Sequence, residues 1–178
     1  MRLALMTDIH GNLAALEAVA ADLRRRHVDR VVNLGDSLSG PLLPRETAQF
    51  LMAEGWQSIA GNHESQILGS SERMGASDAY ARSQLTVREL AWIESLASSW
   101  RITPDVLLCH GTPRSDTEYF LETVKSSGVR PAGANEVEAR LAAETASLVA
   151  CGHTHVPRAV RTARGQLVVN PGVGLPPL

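Results

Sequence analysis

The sequence is poor in the features that mark several classes of protein. It contains only two cysteines in 178 residues, Cys109 and Cys151, and they form no CxxC pair, so we expect neither a disulfide framework nor a thiolate zinc site. No apolar run approaches the ~20 residues that a membrane-spanning helix needs. The first apolar run is interrupted by Asp8, which is too early for the core of a signal peptide. We therefore expect a cytoplasmic protein without a membrane partner.

The sequence also lacks an excess of positive charge. It has 17 lysines and arginines and 19 aspartates and glutamates, which gives a net charge of -2. A nucleic-acid-binding surface usually shows as a basic excess, so nucleic acid is not an expected partner. The hydrophobic fraction of 44% and the charged fraction of 20% are typical of a globular protein. We expect one domain over residues 1–178 with a sizeable core.

Short apolar segments alternate with amphipathic ones along the chain, a pattern typical of layered α/β or α+β domains. Strands are predicted at residues 2–6, 30–34, 56–60, 105–109 and 147–151, followed by a hairpin over 158–171 that turns near Arg164 and Gly165. Helices are predicted at 12–26, 44–55, 86–96 and 135–146. Thr86 and Glu89 form a capping box for the third helix, and Asn135 and Glu138 are the candidate caps of the fourth. The stretch from Ser65 to Gln84, rich in Ser, Gly and Ala, predicts a loop or lid.

Polar side chains with metal-binding chemistry follow five of the predicted strands, in the segments "TDIHGN", "LGDS", "AGNHES", "CHGTP" and "CGHTH". Because loops at the carboxyl ends of strands converge in layered folds, these segments predict one shared site. Asp8 and His10 are two residues apart, so strand alternation would aim both the same way. The candidate residues are Asp8, His10, Asp36, Asn62, His63, His110, His153 and His155.

This residue set indicates transition-metal chemistry. Aspartate and histidine together suit Mn, Fe, Zn, Co or Ni, whereas a set of oxygens alone would favour Mg or Ca. The set exceeds the four ligands of one tetrahedral zinc, and two metals sharing one carboxylate would use seven of its residues. Such a pair, about 3.5–4 Å apart, activates water and clamps the oxygens of an in-line displacement at phosphorus.

The motifs D-x-H, G-D, G-N-H-[DE], H-G and G-H-x-H, in this order, resemble the signature of the calcineurin-like metallophosphoesterase superfamily. The "NPG" of residues 170–172 is similar to its small bacterial and archaeal phosphodiesterase branch. The resemblance implies an α+β fold, a four-layer α/β/β/α sandwich. It also implies a small phosphate-ester substrate, two divalent ions (Mn foremost, with Fe, Zn, Ni or Co as alternatives) and a metal-bridging hydroxide as nucleophile.

The resemblance also implies a role for each residue. Asp8, His10 and His155 would hold the first metal. Asn62, His110 and His153 would hold the second, and Asp36 would bridge both. His63 would not bind metal but would approach the scissile phosphate, where it could protonate the leaving oxygen or stabilise charge.

Two departures from the family pattern, together with Arg114, bear on substrate and assembly. The segment "GDSLSGP" lacks the phosphate-binding arginine of the phosphoprotein phosphatase motif G-D-x-[VL]-D-R-G, which favours phosphodiesters. Arg114, in "HGTPRSD", is a candidate substrate-binding residue. The chain ends in "NPGVGLPPL", so C-terminal strands of the family are expected to be missing or shortened. A missing edge strand would leave a sheet edge to pair with a neighbour, which would make a homo-oligomer.

Two other functions compete with a phosphodiesterase. A nuclease of the same superfamily would need a basic surface or an added DNA-binding region, and the near-neutral charge and short length disfavour it. A non-catalytic interaction scaffold on the same fold would have lost metal ligands, whereas here every ligand position is filled.

Overall fold

The computed structural model describes residues 1–70 and 74–173, which form a mixed α+β fold. The first sheet has three parallel strands in the order β1-β2-β3. Their bounds are Leu3–Met6, Arg30–Asn33 and Gln57–Ser58. All three strands were predicted, and their carboxyl ends meet at one edge of this sheet.

The second sheet has five strands in the order β4-β5-β8-β10-β9. The inner strands β5, β8 and β10 run parallel, and β4 and β9 pair antiparallel at the two edges. The predicted hairpin is the β9–β10 pair, and its turn contains Gly165 with a φ of 84°. The strand bounds are Ser99–Thr103 (β4), Val106–Cys109 (β5), Leu148–Ala150 (β8), Arg158–Arg161 (β9) and Leu167–Asn170 (β10).

Helices and one small hairpin complete the described fold. The helix bounds are Leu13–Leu23 (α1), Pro44–Glu54 (α2), Asn62–Leu68 (α3), Ala76–Gln84 (α4), Val87–Glu94 (α5) and Ala134–Leu141 (α6). The hairpin pairs Glu122–Lys125 (β6) with Gly128–Pro131 (β7). No helix within residues 1–70 and 74–173 is both long and apolar enough to cross a bilayer.

Strand alternation in β5 builds the layers. Leu108 joins a core cluster with the first sheet, which includes Leu34 and Ile59, so the two sheets pack face to face. Leu107 and Cys109 point to the other side, where they pack in a cluster with helix α6. A third cluster joins helices α2 to α5. This is the four-layer sandwich expected from the sequence.

The predicted lid was wrong, because most of the stretch from Ser65 to Gln84 is helical. It completes α3 and contains α4, and residues 71–73 lie outside the described part of the chain. Ile67 on α3 and Ala81 on α4 are fully buried against Leu38, Ala48 and Ile93. Tertiary packing therefore overrides the weak helix propensity of the serines and glycines. The expectation of a shortened C-terminus concerns in part residues 174–178, which also lie outside the described residues.

Helix caps follow the sequence at α5 but not at α6. The Thr86–Glu89 capping box is present, with the Thr86 amide donating to Glu89 Oε2 at 2.9 Å. At α6 the predicted caps were wrong. The N-cap is Gly133, whose amide donates to Glu136 Oε2 at 2.8 Å, so the helix begins earlier than the Asn135 pattern indicated.

Candidate metal centre

Loops from both sheets meet at one edge of the sandwich. The first sheet supplies Asp8, His10, Asp36, Asn62 and His63, each after the carboxyl end of β1, β2 or β3. The second sheet supplies His110 after β5, and His153 and His155 after β8. The face-to-face packing of the sheets therefore brings together sequence positions up to 147 residues apart.

Six of these residues form two groups with ligand atoms close enough to hold one ion each. Within each group the ligand atoms lie within 4.8 Å of one another. The first group is Asp8, His10 and His155, and the second is Asp36, His110 and His153. Asp8 Oδ1 lies 3.5 Å from His155 Nε2 and 3.9 Å from His110 Nε2, so the two groups adjoin.

Backbone carbonyls fix the orientation of three of the imidazoles. The ring nitrogens and their partners are His10 Nδ1 with Ser39 O (2.6 Å), His110 Nδ1 with Leu34 O (2.8 Å) and His153 Nε2 with Thr117 O (3.0 Å). Because a carbonyl only accepts, the bonded nitrogen must carry the hydrogen. In the neutral ring the other nitrogen has a lone pair, as in metal-ligating histidines whose second nitrogen is held by an outer partner.

Two buried polar atoms of the site have no hydrogen bond among the described residues. They are Asn62 Oδ1 and His110 Nε2. His110 Nε2 lies 3.0 Å from Asp36 Oδ2 but makes no hydrogen bond of acceptable geometry. A buried acceptor without a partner costs free energy, and a divalent cation would satisfy both atoms. The residues therefore fit a metal centre.

The backbone of the site is strained. Five of the seven non-glycine residues with positive φ in the described chain belong to the two groups: Asp8 (53°), His10 (51°), Asp36 (54°), His153 (70°) and His155 (60°). Such conformations cost about 1–3 kcal/mol each and cluster at functional sites. Strand β1 ends at Met6, so these loop conformations, rather than strand alternation, direct Asp8 and His10.

Neighbouring glycines let the loops approach one another. A Cβ on Gly61 would lie 2.8 Å from the Asp36 amide nitrogen and 2.9 Å from a ring carbon of His110. A Cβ on Gly152 would collide with the Thr7 hydroxyl and lie 2.9 Å from an Asp8 carboxylate oxygen. The glycines therefore permit backbone to pass directly beside the ligand carboxylates.

Burial and charge set the protonation of the site. Burial lowers the pKa of His10, His153 and His155, which favours the neutral form that metals bind. Burial also acts to lower the pKa of His110, but the Asp36 carboxylate beside it outweighs this and raises that pKa to about 9. In turn, burial acts to raise the pKa of Asp36, but His110 holds it well below its usual range. Metal binding at this pair would displace the His110 proton.

His63 belongs to neither group. Its Nε2 lies 4.0 Å from Asp36 Oδ2, and its ring stands edge-on to the His10 ring with the centroids 5.4 Å apart. Its backbone amide donates to Asp36 Oδ1 at 3.0 Å. The side chain is 28% exposed, whereas that of Asp36 beside it is only 2% exposed.

Comparison with known proteins decides the family. The sequence profile of the calcineurin-like phosphoesterase superfamily domain matches residues 1–177. The chain belongs to this superfamily. This is the family that the resemblance of the motifs predicted.

Comparisons with individual proteins show how far the similarity extends. An uncharacterised protein of Methanocaldococcus jannaschii is 34% identical over 67 residues, which is 38% of this chain and only 28% of that protein. A metallophosphoesterase from Sphaerobacter thermophilus is 28% identical with a TM-score of 0.75, over 97% of this chain and 76% of that one. A hypothetical protein from Pyrococcus horikoshii shares the fold, with 16% identity and a TM-score of 0.69 over 96% of this chain and 75% of that one.

Two residues of the recognised motifs support the site, although neither of them was assigned a structural role from the sequence. Glu64 is fully buried, and its carboxylate accepts the amides of Asp36 (2.8 Å), Ser37 (2.8 Å) and Gly61 (2.7 Å). It therefore joins the loop after β2 to the loop after β3. The acidic position of the G-N-H-[DE] motif is the signal that could have identified it.

Asn170 gives the "NPG" segment a structural role in this member of the superfamily. Its Nδ2 donates to the Gly152 carbonyl at 2.7 Å and to Thr154 Oγ1 at 3.0 Å. Its Oδ1 accepts the Gly172 amide at 2.8 Å. Asn170 thus holds the turn that carries His153 and His155.

Arg114 is directed toward helix α6. Its guanidinium donates to the Ala139 carbonyl at 3.4 Å and lies 3.9 Å from Glu118 Oε2. Among the described residues it makes no hydrogen bond with either ligand group. Substrate binding by Arg114 stays a prediction, and it would require the side chain to leave these partners.

Proposed function

We propose that this protein is a dinuclear phosphodiesterase. The observation that carries the proposal is the pair of adjoining Asp/His groups, linked by Asp8 Oδ1, with three of their imidazoles held by backbone carbonyls. Asp8, His10 and His155 would hold one ion, and Asn62, His110 and His153 the other. Asp36 would bridge them.

The position of Asp36 supports a bridging role. Its carboxylate is almost fully buried and lies 3.0 Å from His110 of the second group. Burial has the largest effect on the pKa values of Asp8 and His10, raising the first and lowering the second, and the Asp36 carboxylate acts to raise both. One carboxylate therefore acts electrostatically on both groups.

The donor set favours transition ions, with Mn foremost and Fe, Zn, Ni or Co as alternatives. When bound, such ions lower the pKa of water and neutralise charge on a phosphate. The chain itself would position the ions, because the carbonyls of Ser39, Leu34 and Thr117 hold the imidazoles that would bind them.

His63 would supply the proton or the charge that the ligands cannot. Its Nδ1 is bonded to a carboxylate, so Nε2, 4.0 Å from Asp36 Oδ2, is the ring nitrogen left to act on a ligand of the centre. At that place a protonated Nε2 would donate to the leaving oxygen or to an equatorial phosphate oxygen.

The loop after β2 supports a phosphodiester rather than a monoester substrate. Gly40 stands where the phosphatase motif has its arginine, and a Cβ there would collide with the His10 carbonyl oxygen. No lysine or arginine occurs from Leu34 to Pro41. A monoester carries a second negative charge that such an arginine would balance, and this loop provides no cation for it.

A metal-by-substrate screen tests the proposal. The purified protein is stripped with chelator, reloaded with Mn, Ni, Co, Zn or Mg, and assayed with a bis-aryl phosphodiester and the matching aryl monoester. We expect turnover to require a transition ion and to favour the diester. Faster monoester turnover under the best metal would overturn the substrate class, and full turnover after complete chelation would overturn the metal dependence.

A further inference from the structure

His63 is held by an aspartate from a helix that contributes no candidate ligand. His63 Nδ1 lies 2.7 Å from Asp78 Oδ1. Asp78 is in the first turn of α4, and its side chain is only 3% exposed. A carboxylate buried to this extent needs a partner, and His63 is the side chain bonded to it here.

The contact fixes both the orientation and the tautomer of His63. A carboxylate accepts hydrogen bonds, so His63 Nδ1 carries a hydrogen whenever this bond is made. The His63 backbone amide is bonded to Asp36 Oδ1 at 3.0 Å. The residue is therefore held at its backbone by one aspartate and at its ring by another, with Nε2 beside Asp36 Oδ2 at 4.0 Å.

Packing keeps Asp78 in place relative to His63. Helix α4 packs on α3, which carries His63, through the buried pair Ala81 and Ile67. Arg82 of α4 donates to the Ile67 carbonyl of α3. A Cβ on Gly75 would come within 3.3 Å of Asp78 Oδ2, so glycine leaves room for the carboxylate.

We infer that Asp78 is a positioning residue for phosphoester hydrolysis: it holds the His63 imidazole with Nδ1 protonated and Nε2 toward the substrate side of the centre. The inference rests on the role proposed above for His63. A merely structural Asp78 would instead stabilise the first turn of α4 through the helix dipole, and its loss would lower stability without acting through His63.

A double-mutant cycle separates these two roles. Asp78→Asn and Asp78→Ala are made in the wild type and in His63→Gln, with Ser77→Ala, exposed on the same turn, as the control. In the wild-type background we expect kcat to fall by about 10–100-fold, the usual effect of removing the partner that orients a working histidine. The KM and the metal content of the Asp78 variants should stay near wild type, and so should the kcat of Ser77→Ala. In the His63→Gln background either substitution should change kcat less than about twofold.

The outcomes distinguish the inference from the proposed function. Wild-type kcat in Asp78→Asn and Asp78→Ala, or an equal loss in both backgrounds, would overturn the role of Asp78 while leaving that of His63. Wild-type kcat in His63→Gln would overturn both. If Asp78→Ala does not fold, the isosteric Asp78→Asn carries the cycle. Nitrogen-15 spectra of His63 give a second measurement: Nδ1–H should dominate in the wild type and mix with Nε2–H in Asp78→Ala, and unchanged spectra would overturn the inference.

Discussion

Replacing Asp36 with asparagine tests the proposed bridge most directly. Asparagine keeps an oxygen that can accept the His63 amide, so the local backbone should survive the substitution. It removes the negative charge that lies 3.0 Å from His110 and acts on both groups. If Asp36 bridges two ions, both should bind more weakly.

The expected magnitude follows from binding linkage. Metal at 1,000 times its Kd stabilises the wild-type protein by about 4.1 kcal/mol. Each kcal/mol raises Tm by about 2–4 °C in a protein of this size, so we expect a rise of about 8–16 °C. A ligand loss that weakens Kd by about 100-fold leaves about 1.4 kcal/mol at the same metal concentration, or about 3–6 °C.

The assay combines metal analysis with thermal unfolding. Asp36→Asn and wild type are dialysed against the same metal, analysed for bound ions per chain and melted with and without metal. Asp105→Asn is the matched control, because Asp105 is exposed and lies at the opposite end of strand β5 from His110. Two bound ions and a full Tm rise in Asp36→Asn would refute the bridge. A similar loss in Asp105→Asn would show that the effect is not specific to the site.

Three further predictions follow from the geometry. His63→Gln should keep its metal and its Tm but lose about 10²–10⁴-fold in turnover, less for good leaving groups if His63 donates a proton; loss of a metal would place His63 among the ligands. Asn170→Ala should cost about 1–3 kcal/mol, because the Gly152 carbonyl loses a buried partner; an unchanged denaturation midpoint would contradict this. Hydrogen bonds, of which that from the Thr86 hydroxyl is the strongest, lower the pKa of Glu89 in the folded protein to about 2. In the unfolded chain the pKa of this carboxyl is near 4.5. The ionised carboxylate therefore stabilises the fold fully above pH 4.5, and this stabilisation is lost as the pH falls from 4.5 toward 2. Glu89→Gln should therefore be about 1 kcal/mol less stable than wild type at pH 7, and its stability should fall less steeply between pH 4.5 and 2. A fall as steep as that of wild type would contradict the lowered pKa of Glu89.

The site could be predicted because its residues carry a local signal. His110, for example, follows an apolar strand and precedes a glycine, and the carboxyl ends of parallel strands share one edge of a sheet. The conformations that aim the side chains could not be predicted in this way. Asp8 and His10 point into the centre through left-handed backbone, which strand periodicity does not encode.

The features around the site could not be predicted from the sequence, because tertiary packing determines them. Asp78 meets His63 only because α4 packs on α3, and the Ser- and Ala-rich sequence of α4 gives little helical periodicity. Strand β4 was not predicted because it is an edge strand with alternating exposure and no apolar run. The hairpin of β6 and β7 has two exposed valines, Val124 and Val129, which pair with each other rather than with the core.

The left-handed backbone at the ligand positions has a consequence for how the chain could change over time. Glycine adopts positive φ without the steric penalty of other residues, so replacing His155 or His10 with glycine would relieve backbone strain. The catalytic edge is therefore a place where stability and activity are selected in opposite directions. Once selection for the proposed activity ended, these positions would be free to change to residues that tolerate positive φ.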